Sequence, residues 1–161
     1  ADILNALDLA EAFGLDVTIV GGAEAHLVAD ELADADVDVI LTMADEAGTF
    51  RDDARHRRSH DTPAALDDAG VAWALGSGGA SSRSRFILLA AQRALRNGAA
   101  DPVEALTSRA ASMLGIDEEL GTLRPGMLAD LVIWTDDPSS PGARVAEVWV
   151  AGRRVYEEDD E

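Results

Sequence analysis

Three histidines, 31 acidic residues and 13 arginines are the groups with which this chain could do polar chemistry. Cysteine is absent, which excludes disulfides, thiol nucleophiles and Cys-based zinc sites. His56 and His60 stand four apart, the spacing of a metal pair on a helix. The glutamate of an HExxH motif is missing there, and Arg55, Arg57 and Arg58 disfavour a cation. A solvated basic loop that locally offsets an acidic surface is the expectation for this stretch. His26 follows Gly21-Gly22 by about one helical turn, and reads either as a group facing a ligand or as an ordinary helix residue. In Gly76-Ser77-Gly78-Gly79-Ala80-Ser81-Ser82-Arg83, glycines between a strand and a helix can aim backbone N–H groups and the helix dipole at an anion. Arg83 would add a charge-assisted fork, and a plain glycine-rich turn is the competing reading. Glu24, at a helix start, suits a dipole partner better than an acid catalyst. The candidate binding residues are therefore Glu24, His26, Ser77 and Arg83, with no catalytic residue and no metal ligand assigned.

These groups need elements to hold them. Ile3, Leu4, Leu7 and Leu9 recur at helical spacing, predicting a helix over 3–13 with Asp2 as its cap and Gly14 as its stop. β-branched runs predict strands over 15–20, 37–42 and 71–75, with a helix over 23–33 between the first two. Residues 43–61 are polar and aperiodic, which predicts a long surface loop. Thr62-Pro63 opens the next helix, with Thr62 as N-cap. Further helices are expected over 83–96 and 101–114. This alternation of strand and helix implies right-handed βαβ units and a parallel sheet. Strands at 131–134 and 145–156, the second broken by a turn at Ala151-Gly152, imply an antiparallel element at the end. Trp73, Trp134 and Trp149 fall within strands and read as packing residues.

Composition limits the function classes. Hydrophobic residues make up 47% and charged residues 27%, a globular balance. The net charge is −18, twenty of the acids are aspartate, and lysine is absent. Such a surface repels a phosphate backbone, so no nucleic-acid partner is expected. No apolar run reaches the roughly 18 residues of a membrane helix, so no membrane partner is expected either. The opening residues lack a basic region followed by an apolar core, and the chain begins inside an amphipathic pattern, as a piece of something longer would.

The chain's end carries a family pattern. Leu120-Gly121-Thr122-Leu123-Arg124-Pro125-Gly126 and Ala129-Asp130-Leu131-Val132, with the strands that run on to Tyr156, resemble the C-terminus of the amidohydrolase superfamily. There a GxLxPGxxADLV segment leads from a barrel to a small β-sandwich, and a strand hairpin finishes the chain. Glu104-Ala105-Leu106-Thr107 and Ala110-Ala111-Ser112-Met113-Leu114-Gly115 are similar to that family's EALxxxTxxPAxxLG helix. Ala111 stands where proline is usual, and Met127 where lysine is usual. Asp2-Ile3-Leu4, Ile19-Val20-Gly21-Gly22-Ala23-Glu24-Ala25 and Val28-Ala29-Asp30 resemble the imidazolonepropionase-like branch.

The resemblance implies an α/β fold: residues 1–118 as the C-terminal part of a TIM-type (β/α)₈ barrel, and 119–161 as strands of a small β-sandwich domain. It implies about the last three barrel strands, with the first half and its HxH metal motif outside this chain. Family members bind one or two divalent ions, and an Asp from the last strand serves as ligand and proton shuttle. Here Gly78 stands where the family's GSD carries that aspartate, and the strand before Gly21-Gly22 ends without a histidine. The expectation is that this chain binds no cofactor, zinc being possible in the full-length parent. Two functions compete. One is the C-terminal fragment, inactive alone, of a hydrolase acting on a non-peptide C–N bond in a small, possibly cyclic amide. The other is a non-catalytic small-molecule-binding or scaffolding barrel that has lost its metal site. Expected partners are the missing half of its own barrel, a small-molecule ligand and possibly a second copy.

Overall fold

The computed structural model describes residues 2–42, 59–78, 84, 86–140 and 142–158. Three short strands, β1 (Thr18–Gly21), β2 (Asp38–Thr42) and β3 (Trp73–Gly76), lie side by side in sequence order. Both pairings are parallel, with Ile19, Val39 and Trp73 in one row and Val20, Ile40 and Ala74 in the next. Parallel neighbours need a crossover connection, and helices supply it. α1 (Asp2–Phe13) precedes β1, and a 3₁₀ turn (Ala25–Leu27) with α2 (Ala29–Asp34) joins β1 to β2. α3 (Thr62–Ala69) leads into β3 through Gly70. α4 (Ile87–Arg96), a 3₁₀ turn (Glu104–Leu106) and α5 (Ser108–Met113) follow.

Alternation along β2 sends Val39 and Leu41 inward, where they meet Ala25, Leu32, Leu66 and Trp73 in the core. Leu32, Leu66 and Trp73 are fully buried, and burying each side chain of this kind contributes roughly 1.5–3 kcal/mol. On the opposite face coverage falls from β3 to the edge: Ala74 is 2% exposed, whereas Val20 on edge strand β1 is 68% exposed.

Beneath β3 a carboxylate organises three elements. Asp67 of α3 accepts hydrogen bonds from the Trp73 indole N–H (2.8 Å) and the Ala100 amide (2.8 Å). Arg109 of α5 lies 3.4 Å from the same carboxylate and 5.3 Å from the Trp73 ring centroid, a cation–π geometry.

The last part of the chain is an antiparallel sheet in the order β4 (Leu131–Trp134), β5 (Val145–Val150), β6 (Arg153–Glu157). Ala151 and Gly152 join β5 to β6 with φ of 50° and 73°. Two positive φ values make the two-residue turn whose twist matches its strands. The Ala129-Asp130 pair braces this turn, since the Ala151 amide donates to Asp130 (2.7 Å) and the Gly152 amide to the Ala129 carbonyl (3.0 Å). Gln92 of α4 ties the two parts together by donating to the carbonyls of Pro138 (3.0 Å) and Ser140 (3.2 Å).

The parallel pairing of the three strands and the final antiparallel element match the sequence reading. Four local readings are corrected. The helix expected over 23–33 is two pieces, broken at Val28 (φ −140°). The helix expected over 101–114 breaks at Thr107, whose hydroxyl donates to the Val103 carbonyl (2.8 Å) and competes with the helical ladder. Thr62 is the first residue of its helix rather than the cap, which is Asp61. Asp2 likewise lies inside α1. The loop expected over 43–61 lies outside the described residues up to position 58, as does the start of the helix expected from 83.

Candidate functional site

Ligands of α/β sheets bind beyond the carboxyl ends of the strands. At that edge this chain presents Gly21-Gly22 after β1, Thr42 at the end of β2 and Gly76-Ser77-Gly78 at the end of β3. None of these residues carries a carboxylate or an imidazole. The Gly21-Gly22 turn has φ of +112° and +56°, and a Cβ at Gly22 would sit 2.6 Å from Val39 Cγ1. A side chain here is opposed both by the backbone and by the space.

Among the described residues, an imidazole at this edge comes from the following 3₁₀ turn. His26 is half-buried, and its Nδ1 lies 2.9 Å from Thr62 Oγ1. Thr62, 3% exposed, also donates its hydroxyl hydrogen to the Ser59 carbonyl at 2.9 Å. This contact joins the turn after β1 to the start of α3. Because α3 runs back to feed β3 at its amino end, its own N-terminus stands at the carboxyl edge of the sheet. Glu24 stands just before the same turn, half-buried, and its side chain does not cap it. Ser77 is half-buried at the end of β3. His26 and Glu24 therefore share one segment and Ser77 shares their edge, while Arg83 and His56 lie outside the described residues. His60 is exposed beside Ser59. Sequence reasoning missed Thr62 as the partner of His26, because a contact 36 residues distant leaves no local signal.

Charge concentrates at the other end of the sheet. Burial first, then Asp36 and Asp16, raises the Asp38 carboxyl above its ordinary value of 3.8. Among the described residues no group of three or more His, Cys, Asp or Glu is arranged to hold a metal. Among the described residues, the strand ends themselves offer only glycines with one serine and one threonine, a donor set that does not by itself fit a divalent ion.

Residues 16–156 match the model described as the amidohydrolase family. A stretch of 53 residues is 34% identical to "Amidohydrolase tasK" of Hapsidospora irregularis, covering 33% of this chain and 5% of that protein. The crystal structure of an amidohydrolase from Thermotoga maritima MSB8 superposes with a TM-score of 0.86 at 31% identity, over 98% of this chain and 41% of its own. A prolidase complexed with N-methylphosphonate-L-proline shares the fold with a TM-score of 0.69 at 21% identity, over 96% of this chain and 43% of its own. An adenosine deaminase from Xanthomonas campestris with bound zinc does so with a TM-score of 0.61 at 22% identity, over 92% and 39%. The chain thus spans less than half the length of each of these proteins. With the family pattern running across both sheets and every element between them, this chain belongs to the amidohydrolase family.

Proposed function

We propose that this chain is the C-terminal part of a hydrolase that opens a non-peptide C–N bond in a small amide, cyclic or open-chain. Residues 1–118 are then the closing part of a (β/α)₈ barrel, and 119–161 are strands of a small β-sandwich of the imidazolonepropionase-like kind. The observation that carries this reading is the superposition on 98% of this chain but only 41% of the Thermotoga amidohydrolase. Unfinished surfaces support it. Edge strand β1 exposes Val20, although parallel sheets are ordinarily covered on both faces. On edge strand β4, Val132 and Ile133 point to opposite faces and are 49% and 45% exposed, so both faces await cover. The upstream half of the barrel is the partner that would pair these edges and bury these faces. Any metal of the parent takes its protein ligands from that upstream half, and the isolated chain is inactive. In the complete protein, Glu24, His26, Ser77 and Arg83 form this chain's share of the ligand-binding mouth.

One observation favours a second reading, a barrel that binds a small molecule without turning it over: the carboxyl edge offers neither ligand nor base at Gly21-Gly22 or Gly78. The discriminating experiment incubates the full-length protein with a panel of small cyclic amides and follows the ring-opened amino acids by chromatography. Turnover by the full-length protein but not by this chain is expected. Tight binding of a panel member without turnover would replace the hydrolase with the binder, and neither binding nor turnover would remove both.

A further inference from the structure

The hydroxyl of Thr62 has one hydrogen and two neighbours at 2.9 Å. The Ser59 carbonyl can only accept, so that hydrogen is committed to it. The contact with His26 Nδ1 then needs a hydrogen from the imidazole. The reverse arrangement would press two acceptors together at 2.9 Å on a residue that is 3% exposed, where water cannot relieve them. The proton of a neutral histidine sits on the nitrogen whose partner demands it, and the other nitrogen keeps its lone pair.

We propose that Thr62 holds His26 as the Nδ1–H tautomer, so that Nε2 is this chain's hydrogen-bond acceptor for an N–H or O–H group of a small ligand at the carboxyl edge of the sheet. The inference rests on reading that edge as the ligand face, and it deepens that reading by naming the group recognised. A cyclic secondary amide carries such an N–H on its ring. Among the described residues, the strand ends Gly21-Gly22, Thr42 and Gly76-Ser77-Gly78 carry no imidazole or carboxylate, and Glu24 is the carboxylate of the same segment as His26. Leu27, the next residue, is 57% exposed, which places the turn at the surface of this chain. Thr62 is a positioning residue here: it touches His26 and acts through it.

The test uses the full-length protein labelled with ¹⁵N-histidine. Two-bond ¹H–¹⁵N correlations should show a protonated, pyrrole-like Nδ1 and a pyridine-like Nε2 at His26. Thr62→Val, nearly isosteric, should release the tautomer and exchange the two signatures, and Thr62→Ser should restore the original pattern. A protonated Nε2 in the parent protein, or a pattern unmoved by Thr62→Val in a folded variant, would overturn the assignment. Diethyl pyrocarbonate then probes whether the lone pair is presented, with modification mapped by peptide mass spectrometry. His26 should be carbethoxylated in the folded protein, and modification only after unfolding in urea would overturn its role toward a ligand. Both readouts are independent of turnover, so a protein that opens no cyclic amide leaves them intact.

Discussion

Replacing Asp67 with alanine removes the acceptor on which α3, β3 and the segment before α5 converge. The Trp73 indole N–H loses its 2.8 Å partner, and Trp73 is fully buried, so water cannot substitute. Stranding such a donor costs about 1–3 kcal/mol. The Ala100 amide also loses a 2.8 Å partner, but Ala100 is exposed and water takes over, leaving a loss of about 0.5–1 kcal/mol. Arg109 keeps Glu104 at 3.4 Å, and its pair with Asp67 is partly open to solvent, adding at most ~1 kcal/mol. The sum is roughly 1.5–5 kcal/mol, or about 3–20 °C in Tm for a protein domain of this size. Asp67→Asn keeps one carbonyl for Trp73 and loses the second acceptor, so it should fall about midway. Urea unfolding of the full-length protein, followed by near-ultraviolet circular dichroism, gives the numbers. The midpoint should drop with the slope unchanged. An Asp67→Ala variant within about 0.5 kcal/mol of the parent would refute the reasoning, since surface substitutions fall in that range.

Three further outcomes follow from the same structure. Ala151 adopts φ of 50°, so Ala151→Gly should stabilise the hairpin by about 0.5–1 kcal/mol, read as a raised urea midpoint. Gly22→Ala should destabilise by about 1–3 kcal/mol, because its φ is +56° and its Cβ meets Val39 Cγ1 at 2.6 Å; a calorimetric Tm equal to the parent's would count against it. The raised Asp38 carboxyl contributes stability while protonated, in full below 3.8, and that contribution is lost as pH rises through the raised value. Asp38→Asn should therefore gain on the parent from the acid range to neutrality, and a urea-midpoint difference that shrinks over that span would contradict the assignment.

The strands were legible because β-branched runs bounded by glycine need no distant partner to declare themselves. Leu131-Val132-Ile133-Trp134 and the hairpin around Ala151-Gly152 were legible from their local apolar and turn residues, as was the LxPGxxADLV pattern that leads into the first of them. Apolar spacing predicted helices at 23–33 and 101–114 and passed over their breaks. Periodicity records side chains, whereas the breaks are backbone events at Val28 and Thr107. Asp67 escaped notice as one aspartate among twenty, since its partners Trp73 and Ala100 are set by the fold. At the candidate site, the absent donors at Gly21-Gly22 and Gly78 were readable from the sequence, and the Thr62–His26 contact was not.

The proposal that this chain is one part of a barrel completed by an upstream half is tested most directly by co-expressing that half as a separate polypeptide and sedimenting the product. The account predicts a one-to-one complex that unfolds in a single cooperative transition, while the chain alone self-associates or lacks fixed packing. Salt should promote that self-association by screening the charge of −18 over roughly 8–10 Å. A lone chain that sediments as a monomer in dilute buffer, melts sharply and ignores the upstream half would contradict it.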